Sequence, residues 1–120
     1  MDLRIVDFDG HKIVEGQPGQ PLLTAPNDII DILGTCFEHH TRSVLLYAEN
    51  LTPNFFDLSS GEAGAILQKL RNYHIKLAIV APPDLHQSTL FPDMLREESQ
   101  SGYLTISPDK PSAELWLSDN

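Results

Sequence analysis

Three groups of residues have types and spacings that could do chemistry. The string FFDLSSGEAG, residues 55–64, sets two adjacent serines among two aromatics, two acids and two glycines. Cys36, His39 and His40 stand at i, i+3 and i+4, a helical spacing that puts a thiolate and two imidazoles on one face as metal ligands. Glu49 and Asp57 flank the stretch that follows a predicted strand, where paired carboxylates could act as general acid and base.

Each group also has a plainer physical reading. Ser59 and Glu62 form a capping box: the serine hydroxyl accepts from the Glu62 backbone N–H, and the carboxylate reaches back to the Ser59 N–H. Losing such a cap to alanine costs about 1 kcal/mol. Gly61 and Gly64 lack Cβ atoms and permit a neighbouring backbone to approach, whereas Phe55 and Phe56 anchor the loop on the core. The sharper reading gives Ser60, at the first helical position, to solvent. A phosphate on Ser59 or Ser60 would meet the unpaired N–H groups of the helix start, against repulsion from Asp57 and Glu62. Cys36, His39 and His40 are half a metal site; His74 and His86 would have to converge on them. A small buried thiol beside solvated histidines accounts for the same residues, so no metal is expected. The string L-S-S-G is not the G-x-S-x-G of a serine hydrolase, and neither a P-loop nor G-x-G-x-x-G occurs. Glu49 and Asp57 read as cap and turn residues. No catalytic residue and no cofactor are assigned.

The elements that position these residues follow from periodicity. LRIVDFDGHKIVEG is two β-rich runs around Asp9-Gly10, a hairpin with a type I′ turn signal. QPGQP breaks the pattern. NDIIDILGTCFEHH has helical spacing with Ile29, Leu33, Cys36 and Phe37 on one stripe, Asn27 as its cap and His39 and His40 at its end. SVLLYAE (residues 43–49) and IKLAIVA (residues 75–81) are apolar runs suited to strands buried on both faces. Between them GEAGAILQKLRNY repeats Ala63, Ile66, Leu67, Leu70 and Tyr73 at helical steps. TLFPDMLREESQ (residues 89–100) reads as a further helix with Gly102 as its stop, YLTIS (residues 103–107) as a last strand, and SAELWL as a closing helix with Ala113, Trp116 and Leu117 inward. The order is hairpin, α, β, α, β, α, β, α. It predicts an α/β domain with a mainly parallel sheet of four to five strands, an antiparallel N-terminal hairpin and four helices.

Composition limits the function classes. A chain of 120 residues, 41% apolar and 21% charged, suits one soluble domain over residues 1–120. Acids outnumber bases 17 to 8, for a net charge of −9, which repels polyanions and excludes non-specific nucleic-acid binding. Lys69, Arg71 and Lys76 are the one basic concentration, sized for a protein contact. A single cysteine fits a reducing compartment. The opening MDLRIVDFDG has acids where a signal peptide needs bases, and no apolar run approaches the roughly 18 residues of a membrane span, so a cytoplasmic protein without membrane contact is expected.

SVLLYAENLTPNFFDLSSGEAGAIL is similar to the centre of the STAS domain, the sulfate-transporter and anti-sigma-factor antagonist fold, in which a strand leads to a DSSG-type motif opening a helix. Leu58, Ser59, Ser60 and Gly61 occupy that motif here, and the element order resembles the fold over about 100 residues. FFDLSSGEAG, LQKLRNY and KLAIV, occurring in that order between Phe55 and Val80, resemble the bacterial family known as domain of unknown function 4180. The STAS resemblance implies a binding module in which a kinase modifies the first serine of the motif and abolishes partner binding; by position that serine is Ser59. Leu58 replaces the family's aspartate, and Asp57 lies one residue away.

The expectation is a non-enzymatic STAS-like protein–protein interaction and regulatory module, switched by phosphorylation of Ser59 or Ser60. Its partner surface would comprise Phe55, Phe56, Asp57, Ser59, Ser60, Gly61, Glu62 and Gly64 with Gln68, Lys69, Arg71 and Asn72 of the following helix. The alternative is a small-molecule-binding protein or enzyme using a cleft at the C-terminal strand ends near Glu49, Asp57 and the loop APPDLHQS. A third reading is a homodimer formed through Phe55, Phe56 or Trp116.

Overall fold

A computed structural model of the chain describes residues 3–8, 10–17, 28–51, 62–80, 104–107 and 109–118. Strands β1 (Leu3–Phe8) and β2 (His11–Gly16) pair antiparallel with Phe8 opposite His11. Gly10 in the intervening turn takes φ 83°, the left-handed value that a primed turn requires and glycine adopts freely. Helix α1 (Ile29–Glu38) leads to β3 (Ser43–Tyr47), and helix α2 (Glu62–Asn72) leads to β4 (Lys76–Val80). Strand β5 (Leu104–Ser107) precedes helix α3 (Lys110–Ser118). The five strands lie in the order β1-β2-β3-β4-β5, with β2 to β5 mutually parallel.

Two cores flank this sheet. On one face Val14, Val44, Leu46, Leu77, Ile79 and Leu104 meet Ile29, Ile32, Leu33 and Cys36 of α1 and Ile66 and Leu70 of α2. On the other, Ile13, Leu45 and Ala78 pack beneath Ala113 and Leu117 of α3. Strands β3 and β4 are thus buried on both sides, which accounts for their continuous apolar runs.

Both crossover helices end alike. The Thr41 N–H donates to the Cys36 carbonyl (3.0 Å) and the His40 N–H to that of Phe37 (3.3 Å). The Ile75 N–H donates to Leu70 (2.8 Å) and the His74 N–H to Arg71 (3.1 Å). These are Schellman motifs, with His40 (φ 56°) and His74 (φ 57°) where glycine is usual. The buried Leu70 and Ile75 supply the apolar contact that accompanies the second.

Several expectations are corrected. The run at residues 43–49 is strand only to Tyr47; Ala48–Asn50 form a 3₁₀ turn, because the Asn50 carboxamide accepts from the Tyr47 N–H (2.7 Å) and donates to the Gln17 carbonyl (2.7 Å). Ile75 closes the Schellman motif that follows α2, so β4 starts at Lys76. Phe37 is 54% exposed, since the buried arc of α1 is centred on Ile29, Ile32, Leu33 and Cys36. Tyr73 lies beyond α2, 48% exposed, not on its apolar stripe. Among the described residues there are three α-helices, against the four expected. The helix at 89–100, the Asn27 cap, the Gly102 stop, Tyr103 and the side chains of Ala63 and Leu67 lie outside the described residues. No helix among the described residues is long and apolar enough to cross a membrane.

Candidate functional site

The residues expected to carry function belong to α2 and the stretch before it. Helix α2 does follow the serine string, and it buries Ile66 and Leu70 against the sheet. That docking turns Gln68, Arg71 and Asn72 to solvent and leaves Lys69 half-buried. Glu62 opens the helix and Gly64 lies in its first turn, where their side chains are outside the described residues. Phe55, Phe56, Asp57, Ser59, Ser60 and Gly61 also lie outside them. The basic concentration is divided: Lys69 and Arg71 are on α2, whereas Lys76 lies on the opposite face of the sheet, its ammonium 5.5 Å from the Trp116 ring centroid of α3. Trp116 is half-buried in that cation–π contact.

The three-residue metal arrangement does not assemble. Cys36 faces the core, where burial pushes its thiol up to about 12, while His39 is half-buried and His40 exposed. Among the described residues no group of three or more His, Cys, Asp or Glu is placed to hold a metal ion. Glu49 is exposed on the 3₁₀ turn; Asp57 and the loop APPDLHQS lie outside the described residues.

One polar cluster was missed from the sequence. Glu15 of β2 is fully buried on the α3 face. One carboxylate oxygen accepts from the Tyr47 phenol (2.6 Å) and pairs with the Lys110 ammonium (3.0 Å); the other meets the Arg4 guanidinium at 3.4 Å. Burial and the Glu15 hydrogen bond push the Tyr47 phenol well above its ordinary 10.0. The cluster joins β1, β2, β3 and α3. Both Glu15 oxygens are engaged, so the carboxylate has the environment of a structural clip and not of a general base. Its signal in the sequence was the alternation of HKIVEG, which puts Glu15 in phase with the buried Ile13.

With the five-stranded α/β sheet and its α2 face in view, comparison with known families becomes decisive. A family described as Domain of unknown function (DUF4180) matches residues 8–117. The chain belongs to that family. The DUF4180 match runs from the end of β1 into α3 and includes Glu15, the serine string and all of α2. No curated protein and no solved structure matches this DUF4180 chain significantly.

Proposed function

We propose that this DUF4180 chain is a non-enzymatic, STAS-like protein–protein interaction module of the bacterial cytoplasm, switched by phosphorylation of Ser59 or Ser60. The observation that carries the reading is the placement of α2: it buries Ile66 and Leu70 and presents Gln68, Arg71 and Asn72 directly after the serine string. The STAS resemblance of that string supplies the switch. A dianion entering at the start of α2 would be held by its free N–H groups and would change the charge of the surface a partner reads. The engaged oxygens of Glu15 support a binding role over acid–base chemistry at the strand ends.

The test is affinity capture from a bacterial lysate with wild-type bait, a Ser59→Asp, Ser60→Asp bait and an Arg71→Glu bait, each shown folded by circular dichroism. A protein held by wild type and lost by both variants supports the reading. Capture that is identical for all three baits, or no specific capture at all, refutes it and returns attention to small ligands.

A further inference from the structure

The N-terminal edge of the parallel strands, opposite the start of α2, gathers positive charge in a chain of net charge −9. A cleft of about 480 Å³ opens there, lined by Lys12 and Arg42 with His11, His39 and His40, and without a carboxylate among its described lining residues. A second cleft of about 290 Å³ shares His40, Thr41 and Arg42 with the first and extends onto Phe37 and Tyr73. Together they fall within the size range of small-ligand sites.

The register explains why the two cations meet. Val14 of β2 is level with Val44 of β3, and both point into the α1–α2 core. Lys12 stands two residues before Val14 and Arg42 two before Val44, and the two line one cleft at this edge. Like charges side by side cost stability unless an anion lies between them. Among the described residues no ion pair engages Lys12 or Arg42. Among the described residues the nearest acids by position are Asp7, the cross-strand neighbour of Lys12, and the exposed Glu38 at the end of α1.

The loop between them is held in place. The Thr41 hydroxyl donates to the Lys12 carbonyl and accepts from the Ser43 N–H, and the Arg42 carbonyl accepts from the Lys76 N–H (2.8 Å). Next to the cations, Phe37 and Tyr73 meet edge to face, with ring centroids 5.5 Å apart and 71° between planes. Both remain about half exposed (54% and 48%), so apolar surface is left for a ligand to cover.

We propose that this edge binds an aromatic phosphate ester of mononucleotide size. Its phosphate would lie between Lys12 and Arg42, with the guanidinium supplying paired donors and the ammonium a point charge. Its ring would cover Phe37 and Tyr73. This site is independent of the serine string and does not rest on the interaction reading.

The experiment is a ¹H–¹⁵N titration of the full chain with adenosine monophosphate, inorganic phosphate and adenosine in parallel. Adenosine monophosphate should give saturable shifts at residues 10–12 and 41–43 and bind more tightly than either half alone. Lys12→Gln and Arg42→Gln should each weaken it about tenfold. Phe37→Ala should weaken it while leaving phosphate binding unchanged, and Asp7→Asn should tighten both. A salt series serves as a second measurement on the unaltered protein: affinity for the nucleotide should fall with salt, that for adenosine should not. No saturable shift by about 10 mM nucleotide overturns the proposal. So does adenosine or phosphate binding as tightly as the nucleotide, affinity unchanged in Lys12→Gln and Arg42→Gln, or affinity insensitive to salt.

Discussion

Cys36 gives the sharpest test of the α1–sheet core. Its side chain is fully buried, and burial raises the thiol from an ordinary 9.0 to about 12. In the unfolded chain the thiol ionises first. Between the two values the unfolded state loses a proton that the folded state keeps, so stability falls as pH rises. The contribution is fully present below pH 9.0 and is lost as pH climbs toward 12. One proton corresponds to about 1.4 kcal/mol per pH unit. Raising pH from 9 to 11 should therefore remove about 2.3 kcal/mol through this thiol alone, since at pH 9 the unfolded thiol is already half ionised. That is a large share of the roughly 6–18 kcal/mol expected for a domain of this length. The assay is urea unfolding at half-unit pH steps for wild type and Cys36→Ala. Alanine leaves a small cavity and lowers stability at every pH, but it removes the titrating group. Tyr47, whose phenol is also held above its ordinary range, titrates in both proteins and cancels in the difference. The two curves should converge by one proton's slope above pH 9. Parallel curves, or a thiol that reacts with an aromatic disulfide reagent at pH 8 as fast as a free thiol, would refute the burial of Cys36.

Other consequences can be measured with the same unfolding assay. Glu15→Gln should cost about 1–2 kcal/mol, because the phenol of Tyr47 keeps an acceptor while Lys110 and Arg4, 40% and 53% exposed, lose screened ion pairs; a variant as stable as wild type would remove the clip from the account. His40→Gly should stabilise by about 0.5–1 kcal/mol, the relief of a left-handed side chain less the extra freedom glycine has when unfolded; a loss of stability would mean that the imidazole makes a compensating contact. Asp109 caps α3 by accepting from the Ser112 N–H (2.9 Å), which holds its carboxyl below the ordinary 3.8. Asp109→Ala should be less stable at neutral pH, and the gap should close as pH falls below that value; a gap that persists at pH 2 would contradict the cap.

The described strands and helices were legible because α1 and α2 carry a helical period and β3 and β4 are unbroken apolar runs buried on both faces. The Asp9-Gly10 turn also fixes the β1–β2 register, and with Phe8 opposite His11 it follows that Arg4 stands opposite Glu15. What could not be read was Lys110. It comes from the helix after β5, three positions away from β2 in the sheet, and local pattern says nothing about where that helix returns. The same limit explains Lys76. Its neighbours in sequence suggested a basic patch with Lys69 and Arg71, but the alternation of β4 sends it to the α3 face with Ala78. Phe37 was misplaced for a helical reason: it lies about 80° around α1 from Ile29, at the rim of an arc that Ile32 fills instead.

The two proposed surfaces are joined by α2 itself. At about 1.5 Å per residue its eleven residues span roughly 16 Å, from Glu62 at one edge of the sheet to the end that precedes Tyr73 at the other. Arg71 and Asn72 sit at the end that adjoins the aromatic wall of the cleft. A protein that covers Gln68, Arg71 and Asn72 must therefore approach the ring of a ligand lying on Tyr73. Ligand and partner then compete for overlapping ground or contact each other. Either way their binding is linked, and the factor by which the nucleotide changes the partner's affinity must equal the factor by which the partner changes the nucleotide's.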